Sequence, residues 1–167
     1  MAEPENKSVK IEDFFSVILS TLGKITDQQI IDLLKKNQET VSVAESLTGG
    51  LLAARLTNVP GSSAFFIGGL VCYHTRIKVV QLGVPAALIA KFGVASQEVA
   101  IAMAENVRLK FRTEIGLATT GAAGPDPLPP APAGRAYVAL ASNRPTECRE
   151  LNLSGTRSEI REKVTQA

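Results

Sequence analysis

Between residues 11 and 22 the apolar positions are Ile11, Phe14, Phe15, Ile18, Leu19 and Leu22. Steps of three and four place all six on one side of an α-helix, and Gly23 suits its C-terminal stop. The residues before it are polar and read as a disordered tail. Thr26-Asp27-Gln28-Gln29 has the form of a capping box. It predicts a second helix to about residue 38, with Ile30, Ile31 and Leu34 as its stripe. Residues 40–44 are short and β-rich, and predict a strand. A glycine-bearing turn then leads into a helical pattern that ends near Thr57. Residues 58–63 break the chain with Pro60 and Gly61. Compact apolar runs at 67–73 and 115–119 predict buried strands.

Between those runs lie helical patterns at 75–82 and 85–91, the latter opened by Pro85. Ser96 caps the longest helix, where Val99, Ala100, Met103, Ala104, Val107 and Phe111 form the apolar face. Pro125, Pro127, Pro129, Pro130 and Pro132 predict a stiff extended loop. Residues 135–141 and 147–153 read as two strands joined by a turn. Thr156-Arg157-Ser158-Glu159 is a second capping box, before a final helix. Helices and strands alternate over the first two-thirds, and two strands then lie close together. The expected fold is α/β: a three-layer α/β/α single domain with a mixed, mostly parallel sheet. Residues 1–24 form a tail and an extra amphipathic helix outside a domain at 25–167.

Composition narrows the function classes. The 167 residues are 45% apolar and 20% charged, as in soluble globular domains, and suit one domain. Eighteen basic and sixteen acidic residues leave a net charge of +2, without any block of like charge. With no Trp, six Phe and two Tyr, the chain lacks the basic, aromatic-lined stripe of a nucleic-acid binder. Cys72 and Cys148 are too few for a disulfide scaffold or a four-thiolate zinc site. His74 stands alone, so a Ser-His-Asp triad would need it as base. No targeting or membrane segment is evident, and the expected location is cytoplasmic.

Four segments could carry chemistry. In Glu45-Ser46-Leu47-Thr48-Gly49-Gly50, two hydroxyls and two glycines sit between a strand and a helix. Helix N-terminal amides there could bind an anion or an oxyanion, or Thr48 could simply cap the helix. The segment lacks the lysine of a phosphate-binding Walker loop. In Tyr73-His74-Thr75-Arg76-Ile77-Lys78, Thr75 as cap would put Lys78 at the third helical position. The helix dipole and burial would both lower its proton affinity there, whereas on the surface it would be an ordinary lysine. Thr120-Gly121-Ala122-Ala123-Gly124 follows a strand at the carboxyl edge of the sheet, where ligands bind in open α/β folds. Arg157, at a helix start, can offer a fork to phosphate or carboxylate.

Together these segments resemble the C-terminal domain of the competence/damage-inducible protein CinA. The likeness runs over residues 25–165. It rests on Ala44-Glu45-Ser46-Leu47-Thr48-Gly49-Gly50, Val59-Pro60-Gly61-Ser62-Ser63, Tyr73 with Lys78, Leu82-Gly83-Val84-Pro85, Gly93-Val94-Ala95-Ser96-Gln97-Glu98, Thr120-Gly121-Ala122-Ala123-Gly124-Pro125-Asp126 and Gly155-Thr156-Arg157. Leu47, where the family usually has Cys, and the proline-rich loop after Asp126 depart from the pattern.

Stand-alone members are nicotinamide-nucleotide amidohydrolases (NMN deamidases) of the Ser/Lys type. The resemblance implies Ser46 as nucleophile, Lys78 as its base, and Tyr73 as proton-transfer assistant or pocket wall. It implies Thr48, Gly49, Gly50, Thr120, Gly121, Gly124 and Arg157 as substrate-binding residues. No metal and no cofactor are implied. The expected partner is a small nucleotide, with neither nucleic acid nor membrane, and a homo-oligomer is expected. The competing reading is a family member that binds a nucleotide, or only its own copies, without turnover.

Overall fold

The computed structural model describes residues 26–167, so the helix expected at 11–22 lies outside the described residues. Six helices and five strands follow in order. They are α1 (Asp27–Asn37), β1 (Val41–Glu45), α2 (Leu51–Thr57), β2 (Phe66–Val71), α3 (Thr75–Val80), α4 (Ala86–Phe92), α5 (Gln97–Phe111), β3 (Ile115–Gly121), β4 (Arg135–Ala141), β5 (Glu147–Asn152) and α6 (Arg157–Gln166). A short 3-10 turn, Ser62–Ala64, fills the break after α2.

Both capping boxes form, with the hydroxyls of Thr26 and Thr156 accepting from the amides of Gln29 and Glu159. Ser96 caps α5 through the amide of Val99. Two local expectations are corrected. The cap of α3 is His74, whose ring nitrogen accepts from the Arg76 amide, so Lys78 sits one position later than a Thr75 cap would put it. The proline-rich loop is not simply extended. Leu128 and Ala131 exchange backbone hydrogen bonds across a turn, and Ala131 is buried with Ala95 and Ala122.

The sheet order is β2-β1-β3-β4-β5. β1 pairs parallel with both neighbours, and the β3–β4 and β4–β5 ladders are antiparallel. Four of the five strands therefore run one way and only β4 opposes them. Alternation along β1 divides the core. Val41 and Val43 meet Ile31 and Leu34 of α1 on one face. Ala44, with Ala118, Tyr137 and Ala139, meets α5 on the other. Helix α6 packs Ile160 and Val164 on Leu47 and Ala136, on the same face as α1 and α2. The result is an α/β/α sandwich. Gly116 of β3 lets α5 approach the sheet closely, because a Cβ there would lie 2.2 Å from the Ala104 carbonyl oxygen.

These layers bring the ends of β1, β2 and β3 together at one edge of the sheet. The loops after those strands carry Ser46, Tyr73 and Gly121–Gly124, and α6 starts beside them. Among the described residues, no helix is long and apolar enough to cross a membrane.

Candidate active site

Ser46 follows the last residue of β1 and is pinned by its own amide, which donates to the Thr119 carbonyl at 2.9 Å. Its side chain meets Lys78, whose Nζ lies 2.8 Å from Ser46 Oγ. Lys78 is 1% exposed. The same Nζ donates to the Cys72 carbonyl at 2.6 Å and lies 3.4 Å from that of Tyr73. Burial pushes the Lys78 amine down to about 8, and the Cys72 thiol alongside opposes this weakly. The dipole of α3 contributes little, since Lys78 lies beyond the first turn and the effect fades there. Arg76 is exposed to solvent and adds no charge beside the Lys78 amine.

The geometry suits a neutral amine. Two N–H groups satisfy the two carbonyls, and the lone pair is left for the Ser46 hydroxyl. No imidazole is involved, because His74 is occupied as a helix cap.

The turn after Ser46 is built differently from the expectation of a free helix N-terminus. Glu45 is fully buried, and its carboxylate accepts from the amides of Gly50, Leu52 and Ala53 at 2.8 to 3.0 Å. The Leu51 amide turns back to the Thr48 carbonyl. The start of α2 therefore has no amide left for a phosphate. Thr48 does not cap α2 either: its buried hydroxyl pairs with that of Thr119 at 2.7 Å. Gly49 and Gly50 serve the backbone, with φ of 61° and 102° in the left-handed region. Arg161 Nη2 would lie 3.2 Å from a Cβ at Gly49, so that side is filled by the protein. Within residues 46–50, only the amides of Leu47 and Thr48 lack a partner among the described residues.

Tyr73 is more than half exposed, and its hydroxyl accepts from Arg157. No hydrogen bond joins that hydroxyl to Ser46 or Lys78 among the described residues. Arg157 opens α6 and also donates to the Gly124 carbonyl at 2.9 Å. Thr120 is buried, and its hydroxyl is taken by the Val94 carbonyl, so it anchors the β3 end to the loop before α5. Gly121 and Gly124 border the same loop, both buried. The structure thus joins Ser46 to Lys78, and Tyr73 to Arg157 and Gly124. It leaves the hydroxyls of Thr48 and Thr120 facing the protein.

Two residues escaped the sequence reading: Glu45 and Arg161, whose guanidinium donates to the carbonyls of Leu47 and Thr48. Arg161 had a signal, since it stands four residues after Arg157 and shares its helix face. Glu45 offered only an acid at the end of a buried strand. A separate hollow of about 300 Å³ is lined by Phe92, Ser96, Arg135, Tyr137 and Glu150. It contains none of the Ser46 group, and within it Arg135 pairs with Glu150, which also accepts from the Tyr137 hydroxyl.

Residues 24–167 match the CinA C-terminal domain family. A CinA-like protein of Dictyoglomus thermophilum is 47% identical over 136 residues, covering 81% of this chain and 33% of that protein. A CinA-like protein of Kosmotoga olearia is 41% identical over 165 residues, covering 98% of this chain and 40% of the relative. The chain thus spans roughly a third of the length of the curated relatives it matches. Among solved structures, the competence/damage inducible protein CihA from Agrobacterium tumefaciens superposes with a TM-score of 0.80 at 34% identity. That match covers 84% of this chain and 88% of the other. The chain belongs to the CinA C-terminal domain family.

Proposed function

We propose that this domain hydrolyses the carboxamide of nicotinamide mononucleotide to nicotinate mononucleotide and ammonia, by a Ser/Lys mechanism. The observation that carries the reading is the buried Lys78 Nζ, 2.8 Å from Ser46 Oγ. An amine near 8 is uncharged often enough at neutral pH to act as a base.

Neutral Lys78 takes the Ser46 proton as Oγ bonds to the amide carbon. The amides of Leu47 and Thr48, the free pair in the turn, receive the oxyanion. As the C–N bond breaks, the Lys78 proton passes to the leaving nitrogen and ammonia departs. Lys78 then deprotonates a water, which attacks the acyl carbon and releases Ser46 and the carboxylate product. In this reading Arg157 and the loop Gly121–Gly124 take the nucleotide's anionic end, with Tyr73 as the outer wall, a role supported by the contacts that Arg157 makes to Gly124 and Tyr73. Thr120 serves as an anchor in this reading, because its hydroxyl is already bonded.

Purified protein supplied with nicotinamide mononucleotide tests this directly. Wild type should release ammonia and nicotinate mononucleotide in equal amounts, and Ser46→Ala and Lys78→Ala should each abolish release. Binding of the nucleotide without ammonia would instead establish the non-catalytic reading.

A further inference from the structure

We propose that Arg161 is a positioning residue that sets the oxyanion site beside Ser46 from the far side of the turn. The inference rests on the Ser46–Lys78 reading above. Arg161 Nε donates to the Leu47 carbonyl at 3.0 Å and Nη2 to the Thr48 carbonyl at 2.8 Å. A guanidinium is a rigid planar fork, so two bonds from one fork fix the direction of both carbonyls. In a trans peptide the C=O and N–H point opposite ways. Holding the Leu47 carbonyl toward α6 therefore aims the Thr48 amide away from α6. That amide is one of the two in the turn without a partner among the described residues.

The other side of the turn is held by Glu45, which binds the amides of Gly50, Leu52 and Ala53. An acid thus grips the amides and a base grips the carbonyls, leaving the intervening Leu47–Thr48 amides little freedom. Among the described residues Arg161 has no carboxylate partner, and the protein groups its guanidinium meets are the two carbonyl oxygens. A cation so placed also favours negative charge developing across the turn.

The same helix face carries Arg157, which holds the Tyr73 hydroxyl and the Gly124 carbonyl. Ile160 and Val164 seat the helix on Leu47 and Ala136. Helix α6 is thereby a strut between the nucleophile turn and the two loops proposed to face the nucleotide. An aligned oxyanion site acts on charge that exists only in the transition state. Loss of Arg161 should therefore lower kcat and leave KM nearly unchanged.

The test uses diisopropyl fluorophosphate, which does not depend on the identity of the amide. Ser46 Oγ bonds to phosphorus, fluoride leaves, Lys78 takes the proton, and the phosphoryl oxygen occupies the oxyanion site. Mass spectrometry of the peptide containing Ser46 gives the rate, and circular dichroism confirms the fold. We expect Arg161→Ala to react about tenfold or more slowly than wild type. Arg161→Lys, able to hold one carbonyl, should fall between them and covers the case in which the alanine variant does not fold. The pH midpoint of the reaction should stay where wild type has it, because the base is unchanged. Wild-type rates in folded variants overturn the inference, as does a slower rate accompanied by a displaced midpoint. A wild type that does not react at Ser46 overturns the Ser46–Lys78 reading, and the inference falls with it.

Discussion

Burial of Lys78 is costly, and its cost and its use have the same origin. Burial lowers its amine from 10.5 to about 8. At ~1.4 kcal/mol per tenfold change in proton affinity, that is a penalty of about 3 kcal/mol at neutral pH. In the unfolded chain the lysine keeps its proton up to about 10.5, whereas the folded protein sheds it near 8. Between those values the unfolded chain binds more protons, so stability rises with pH, and below 8 the penalty is full. Lys78→Met should therefore be inactive and, at pH 7, more stable than wild type by up to about 3 kcal/mol. Its advantage should shrink from pH 8 to about 10.5. Urea melts at several pH values check this, and equal stability of the two proteins throughout would mean that the burial is not costly. Glu45 shows the opposite economy, because three amides offset the burial of its carboxylate. Glu45→Ala leaves those donors without a partner, at ~1–3 kcal/mol for each one kept from water. It should lower the melting temperature and kcat together, and Glu45→Gln, which keeps two acceptor lone pairs, should recover part of both.

At the scale of elements, periodicity and caps made most of the fold legible. Strand β4 falls at 135–141 as expected, and both capping boxes and the Ser96 cap start their helices. Ends were less legible where a tertiary partner decides them. His74 outcompetes Thr75 as a cap, and Glu45 caps α2 from a neighbouring strand, a contact no local pattern encodes. The candidate site divides in the same way. Ser46 and Lys78 were paired only by the resemblance to the family, and they touch. The resemblance also implied Thr48 and Thr120 as substrate-binding residues, but their hydroxyls are taken by the Thr119 hydroxyl and the Val94 carbonyl. Helix α5 depends on an element-level contact. With the Ala104 carbonyl 2.2 Å from where a Gly116 Cβ would sit, Gly116→Ala must push α5 off the sheet. Thermal denaturation should show a loss of about 3 kcal/mol or more, as for strong overpacking. An unchanged melt would mean that α5 moves without cost.

For the whole molecule, the described residues complete their own interior. Cores on both faces of the sheet are closed by residues from Ile30 onward, and no buried side-chain nitrogen or oxygen there lacks a partner. Catalysis should therefore not require residues 1–24, and we propose that Ile11, Phe14, Phe15, Ile18, Leu19 and Leu22, which lie outside the described residues, serve self-association. A protein lacking residues 1–24 is expected to keep its turnover per chain and to scatter light as a smaller assembly. Unchanged mass would place the contact elsewhere. We propose that one buried lysine, working neutral, makes this molecule an amidohydrolase. The measurement that tests it most directly is kcat/KM for ammonia release from nicotinamide mononucleotide between pH 6 and 10. The account predicts a tenfold rise per pH step at the acid end and a plateau above a midpoint near 8, where Lys78 loses its proton. At pH 7 the rate should be about a tenth of the plateau. A rate that does not change across pH 8, or full activity in Ser46→Ala, would contradict it.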